Sequence, residues 1–175
     1  MRSVVAHNIN ECVQINQFGG CAIMAMGTLA PKVADLTMDS TSLGRWCLIC
    51  VGLGSKKTQI VMAYQPCKSG NTTTRNTAND QHSQYFQALG DACSPRMIFY
   101  EDLVAQLLVW KLVDNNIILM GDFNENVYTG RLTRRLSQVD INLTELCQHH
   151  TSIPIPATFC TGSSPIDGVF CYSWD

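Results

Sequence analysis

Two apolar runs joined by one short polar turn constrain this chain most. Arg45 to Leu53 reads "RWCLICVGL", Thr58 to Pro66 reads "TQIVMAYQP", and "GSKK" (Gly54 to Lys57) lies between them. Apolar runs of that length, bounded by Gly and Pro, read as strands, and the turn makes them a hairpin. "GGCAIMAMGTL" (Gly19 to Leu29) reads as a buried strand entered through a glycine pair, and Ile117 to Met120 as another. Strands this apolar need helices over the sheet faces.

The sequence offers those helices after a polar, aperiodic stretch, residues 67 to 80, that reads as a loop. Gln81 to Leu89 is a predicted helix with Asn79 or Asp80 as its N-cap. In the next helix Phe99, Leu103, Leu107 and Trp110 share a face, and Val104, Leu108 and Leu112 widen it. Thr129 to His150 reads as irregular helix. "SIPIPATF" is extended, since the prolines at 154 and 156 forbid a helix, and "PIDGVFCY" is a last strand. Strands and helices mix without strict alternation, so the class is α/β or α+β.

With 175 residues, 46% hydrophobic and 15% charged, the chain reads as a single globular domain, 1–175. A net charge of −2 gives no general argument for nucleic acid, although a local patch is what matters. Nine cysteines without a repeating spacing, and no apolar leader, read as free thiols in a reducing compartment, nuclear or cytoplasmic rather than secreted. No apolar run is long enough to cross a membrane.

The run at Ile117 leaves the core through Gly121, Asp122, Phe123 and Asn124. In extended geometry, Asp122 and Asn124 would share a face. A carboxylate and an amide there suit activating a water and holding a phosphate oxygen. An Asp-Asn turn ending a strand explains these residues equally well.

Other segments weigh on that choice. "GGCAIM" opens the set, Tyr64 ends a strand as "AYQP", and "ATF" (Ala157 to Phe159) precedes "SSPIDGVF" (Ser163 to Phe170). In this order and spacing, over Gly19 to Tyr172, the chain resembles the endonuclease/exonuclease/phosphatase superfamily. Its wording is most similar to the endonuclease domains of retroelements. The resemblance implies a DNase I-like four-layer α/β sandwich. It also implies DNA as substrate, Mg or Mn as cofactor, and a reverse-transcriptase domain adjacent in the parent element; it implies nothing about a protein partner. By the same match, Asp122 would orient and deprotonate the attacking water, and Asn124 would hydrogen-bond the phosphate. Tyr64 would donate to a phosphoryl oxygen, and Asp167 would hold a histidine in its productive tautomer. Glu125 and Asn126 fall outside the motif and read as loop-surface groups.

Two family features have no match. The family's early apolar strand ends in "Q-E", whose glutamate binds metal. Glu11 has no apolar strand ahead of it and lies too close to Gly19 for that role. The family's "D-H" histidine follows the Asp167 strand, whereas His149 and His150 precede it. The sandwich is therefore expected to be incomplete, a piece truncated at both ends, with no metal ligand assigned. The readings that follow are a DNA endonuclease fragment, a non-catalytic remnant that at most binds nucleic acid, and a phosphoinositide or sphingolipid phosphoesterase.

Remaining constellations read as structural. Cys47 and Cys50 form a lone CxxC whose thiols diverge in a strand. Cys147, His149 and His150 with Cys160 make a poor metal set, and Trp46 reads as core. Arg131 and Arg135, four apart on one helical face, are a solvated face or, more sharply, a phosphate-contacting patch.

Overall fold

The structure, a computed structural model, describes residues 1–9, 19–52, 56–68, 77–112, 116–138, 140–151, 156–159 and 162–172. Its strands are β1 (Arg2–Ala6), β2 (Cys21–Ala25), β3 (Val33–Met38), β4 (Trp46–Val51), β5 (Thr58–Tyr64), β6 (Asn116–Asp122), β7 (Leu143–Glu145) and β8 (Asp167–Tyr172). Its helices are α1 (Ala78–Ala88), α2 (Pro95–Leu112), α3 (Arg131–Leu136) and α4 (Leu146–His150). One six-stranded mixed sheet runs β3-β4-β5-β6-β8-β7, and β1 and β2 form a separate antiparallel pair.

The sheet is covered on both faces, but by helices on one only; the β1–β2 pair covers the other. All six residues of β4 are buried, and they alternate between two cores. Trp46, Leu48 and Cys50 join the α2 residues Phe99, Leu103, Leu107 and Trp110. Cys47, Ile49 and Val51 join Val4, Ala6 and Ala25 of the two-stranded sheet. The CxxC thiols thus diverge into separate cores, as period-two geometry demands. The hairpin is present too, with Val51 opposite Thr58, although residues 53–55 of its turn lie outside the described residues.

Several expectations need correction. Gly19 to Leu29 is not one buried strand. Only Cys21–Ala25 is extended, with one face in the core, and a 3₁₀ turn follows over Gly27–Lys32. An apolar strand, β1, does stand ahead of Glu11, too short for its alternation to register, while Glu11 itself lies outside the described residues. The cap of α1 is Thr77, in a reciprocal box with Asp80, so the helix starts three residues earlier than expected. Leu112, the last residue of α2, is exposed and does not widen its stripe. The irregular helix of 129 to 150 contains a strand, β7, because Leu143 and Glu145 pair with the end of β8. The prolyl stretch 152–155 lies outside the described residues.

A buried ion pair ties β4 to its surroundings. Arg45, 1% exposed, donates from Nε and Nη2 to Asp39 at 2.7 and 2.8 Å and from Nη1 to Asp102 of α2 at 2.7 Å. Its guanidinium stands 4.4 Å from the Trp46 ring centroid. Both charges are compensated, which such burial requires.

Two outcomes follow. The outer face of the two-stranded sheet leaves Val5 and Met24 more than half exposed, beside Met1 and Met26. The isolated chain is expected to self-associate, which light scattering across a concentration series will detect. His82 is buried, with Nε2 against the Leu43 carbonyl at 3.2 Å, and burial pushes its imidazole from 6.5 down to about 4. Between those values the unfolded chain binds the proton and the folded chain does not. Stability therefore falls as pH drops through that window, by on the order of 3 kcal/mol from this group. Urea melts at neutral pH and near the lower limit should show a smaller loss in His82→Gln.

Candidate active site

The register of three neighbouring strands brings the site together. Tyr64 at the end of β5 pairs with Asp122 at the end of β6, and Asp122 pairs with Asp167 at the start of β8. Residues opposite one another in a sheet share a face, so the three side chains form one row. The row lies on the face turned to β1 and β2, where Gly19 abuts the Tyr64 ring. Two glycines flank it: Gly121 pairs with Ala63 on one side and Gly168 on the other. A Cβ at Gly121 would run into the Ala63 carbonyl oxygen, and one at Gly168 would press on Val127 at 3.1 Å. Glycine at 121 lets β6 lie this close to β5, and glycine at 168 leaves room for the Val127 side chain.

Asn124 reaches the site by a different route from the expected one. It is not extended; its φ is +48°, in the left-handed region. Its N–H donates to Asp122 Oδ1 at 3.0 Å, and its side-chain amide donates to the Gln65 carbonyl at 2.7 Å. The segment is therefore an Asx-type turn, and the turn itself places the amide. Phe123, buried against Phe170 at 5.5 Å between centroids, forces the chain to turn there. Thr158 of "ATF" holds the other side of the row, its Oγ1 accepting the Ile166 and Asp167 N–H groups at 2.9 and 3.2 Å.

The electrostatics suit proton transfer. Burial raises the Asp122 carboxyl above the usual carboxylate range, and the nearby Asp167 charge adds to this, while the Asn124 N–H opposes it. Burial, with Cys67 and Asp122 beside it, pushes the Tyr64 hydroxyl up to about 12, so it stays a donor at neutral pH. A raised carboxyl is a better proton acceptor, and a protonated phenol can stabilise a phosphoryl oxygen.

The structure also uses residues that sequence reading passed over. Arg96, buried in the first turn of α2, donates to the Pro66 carbonyl at 2.7 Å and the Asn124 carbonyl at 3.3 Å. It clamps the segment after Tyr64 to the turn after Asp122. Its partners are backbone carbonyls, which no side-chain pattern reveals. The Cys67 thiol donates to Asn124 Oδ1 at 2.9 Å. Glu125 is not a loop-surface group. It accepts from the Tyr100 hydroxyl at 2.5 Å and the Leu132 N–H at 2.7 Å, and stands 3.7 Å from Arg96. Asn126 accepts the Tyr128 and Thr129 N–H groups and shapes the same turn.

Arg131 and Arg135 share the side of α3 that lines a 390 Å³ groove against α2. Arg131 lies over the Tyr100 ring at 5.5 Å and remains exposed. Arg135 is held in a two-pronged pair with Asp140 at 2.8 and 2.9 Å, which occupies its fork. His149 and His150 are exposed at the end of α4, and Cys160 lies outside the described residues. Among the described residues no histidine hydrogen-bonds Asp167. Nor is any group of three His, Cys, Asp or Glu placed to hold a metal. Asp122 and Asp167 alone do not make a protein cage for a divalent ion.

No family model and no curated protein matches the chain. Among solved structures it is similar to the human Nocturnin catalytic domain with bound sulfate anion, at a TM-score of 0.52 and 13% identity over 80% of this chain. The match takes in 47% of that domain, so the chain spans about half the length of its solved neighbour. The likeness shows the fold, a mixed α/β fold of the DNase I-like kind.

The glycine at the centre of the row gives a direct test. Gly121→Ala is expected to cost about 3 kcal/mol or more, because the clash is with backbone on the neighbouring strand. Urea melts of the substituted and parent chains measure it.

Proposed function

We propose that this chain carries the phosphodiester site of a retroelement-type DNA endonuclease. The carrying observation is the row of Tyr64, Asp122 and Asp167, with the Asn124 N–H bound to Asp122 and the Asn124 side-chain amide bound to the Gln65 carbonyl beside Tyr64. In this reading Asp122 orients the attacking water and takes its proton. Tyr64 donates its hydroxyl to a phosphoryl oxygen. One Asn124 amide hydrogen is spent on Gln65, and the other serves the phosphate. Asp167, exposed at the start of β8, would orient an imidazole. The similar Nocturnin domain binds a sulfate anion, a shape and charge close to a phosphate.

Magnesium or manganese belongs to the proposal as an ion brought with the DNA phosphates rather than caged by the described residues. A reverse-transcriptase domain in the parent element and an intracellular setting belong to it too. The free thiols among the described residues fit the latter. The row without a histidine on Asp167 favours a second reading, a catalytically silent chain that still engages nucleic acid.

Nicking of supercoiled plasmid separates these readings. A positioned acid/base group contributes roughly 10²- to 10⁴-fold in rate. The chain as given is therefore expected to nick no faster than Asp122→Ala, with magnesium or manganese present. Adding the glutamate- and histidine-bearing segments of a related element should restore nicking, and Asp122→Ala should abolish it again. A completed chain that leaves plasmid intact and hydrolyses a phosphoinositide would overturn the DNA reading. One that does neither would leave the silent reading.

A further inference from the structure

A cleft of 650 Å³ opens between α1, the first turn of α2 and the segment from Glu125 to Arg131. Its lining combines two chemistries. Asn79, Ser83 and Gln87 are spaced four residues apart along α1 and all face the cleft as one uncharged stripe; the Ser83 hydroxyl donates to the Asn79 carbonyl at 2.9 Å and keeps its acceptor side. Lys68, Arg96 and Arg131 supply positive charge. The acidic residue in the lining, Glu125, is engaged by the Tyr100 hydroxyl, the Leu132 N–H and Arg96, so it offsets the buried Arg96 and leaves the exposed Lys68 and Arg131 as the uncancelled cations. The cleft adjoins the row, since Arg96 holds the Asn124 carbonyl, and Lys68 follows Cys67, whose thiol holds the Asn124 side chain.

An unpaired nucleic-acid strand offers the matching chemistry. Its phosphates suit the cations, and its free base edges suit amides and a hydroxyl. In a duplex the Watson–Crick edges are occupied, and only the groove edges remain free. We infer that this cleft holds an unpaired DNA strand flanking the scissile phosphate, so that the protein prefers DNA with a single-stranded flank to a blunt duplex. The inference rests on reading the row as a DNA site, and it adds which form of DNA the site takes. The cations hold the backbone, and the Asn79–Gln87 stripe makes the distinction between paired and unpaired bases.

Fluorescence anisotropy with the full chain tests this, using one labelled sequence as a single strand, a blunt duplex and a duplex with an unpaired tail. The tailed and single-stranded forms should bind about tenfold tighter than the blunt duplex. Lys68→Ala and Arg131→Ala should each weaken binding to all three forms and flatten the salt dependence by roughly 0.7 in log–log slope for single strands. The pair Asn79→Ala and Gln87→Ala should abolish the preference for unpaired DNA and leave the salt slope unchanged. These side chains are partly or fully exposed, and thermal melts confirm that each variant is folded. Equal binding of single strand and blunt duplex, or a preference that survives in Asn79→Ala/Gln87→Ala, overturns the inference. The two proposals fail separately. Cleft-dependent binding in a completed chain that never nicks removes the endonuclease reading alone. Asp122-dependent nicking with no effect of the cleft variants on binding removes the inference alone.

Discussion

The closeness of β6 to the strands beside it is the constraint on which the site depends. Gly121 sits against the backbone of Ala63, and its other partner is also a glycine, Gly168. Without a Cβ, Gly121 lets β6 lie against Ala63, and the register of β5, β6 and β8 then sets Tyr64, Asp122 and Asp167 in one row. A row built on strand ends is more rigid than one built on loops, because each backbone is held by its ladder of hydrogen bonds. The chemistry proposed for Asp122 depends on this placement, since its carboxyl is raised chiefly by burial and then by the aspartate opposite.

Around the row, three side chains convert loops into fixed parts. Arg96 joins the segment after β5 to the turn after β6. Glu125 joins that turn to α2 and to the start of α3. Thr158 fixes the entry to β8. The Arg45 ion pair performs a similar service at a distance, fastening β4 to the Asp39 turn and to α2. Each uses a charged or polar group against backbone or against a buried partner, where the local dielectric makes hydrogen bonds strong and an unpaired group costly.

Much of this could be read from residue order. The β4–β5 hairpin, the α2 stripe of Phe99, Leu103 and Leu107, and the strand ending at Asp122 all follow from periodicity and turn chemistry. So does the divergence of Cys47 from Cys50. The reading failed where an element was short or its pattern weak. β1 and β7 have too few residues for alternation to show. The cap of α1 was misplaced because Thr77 lies in a stretch of similar small polar residues. Asn124 was expected to be extended, yet the burial of Phe123 and the pull of Arg96 on the Asn124 carbonyl turn it into the left-handed region.

By itself the sequence determined the candidate acid–base residues, the apolar strands that end beside them, and the resemblance to a DNase I-like fold, because those are local or ordered properties of the chain. Only the tertiary structure decided that Tyr64, Asp122 and Asp167 stand in register, that Arg135 is occupied by Asp140 while Arg131 is exposed beside a cleft, and that Glu125 is a strut. These depend on strand register and on partners far apart in sequence. Such contacts are set by the close packing of the whole chain, and no window of neighbouring residues contains them.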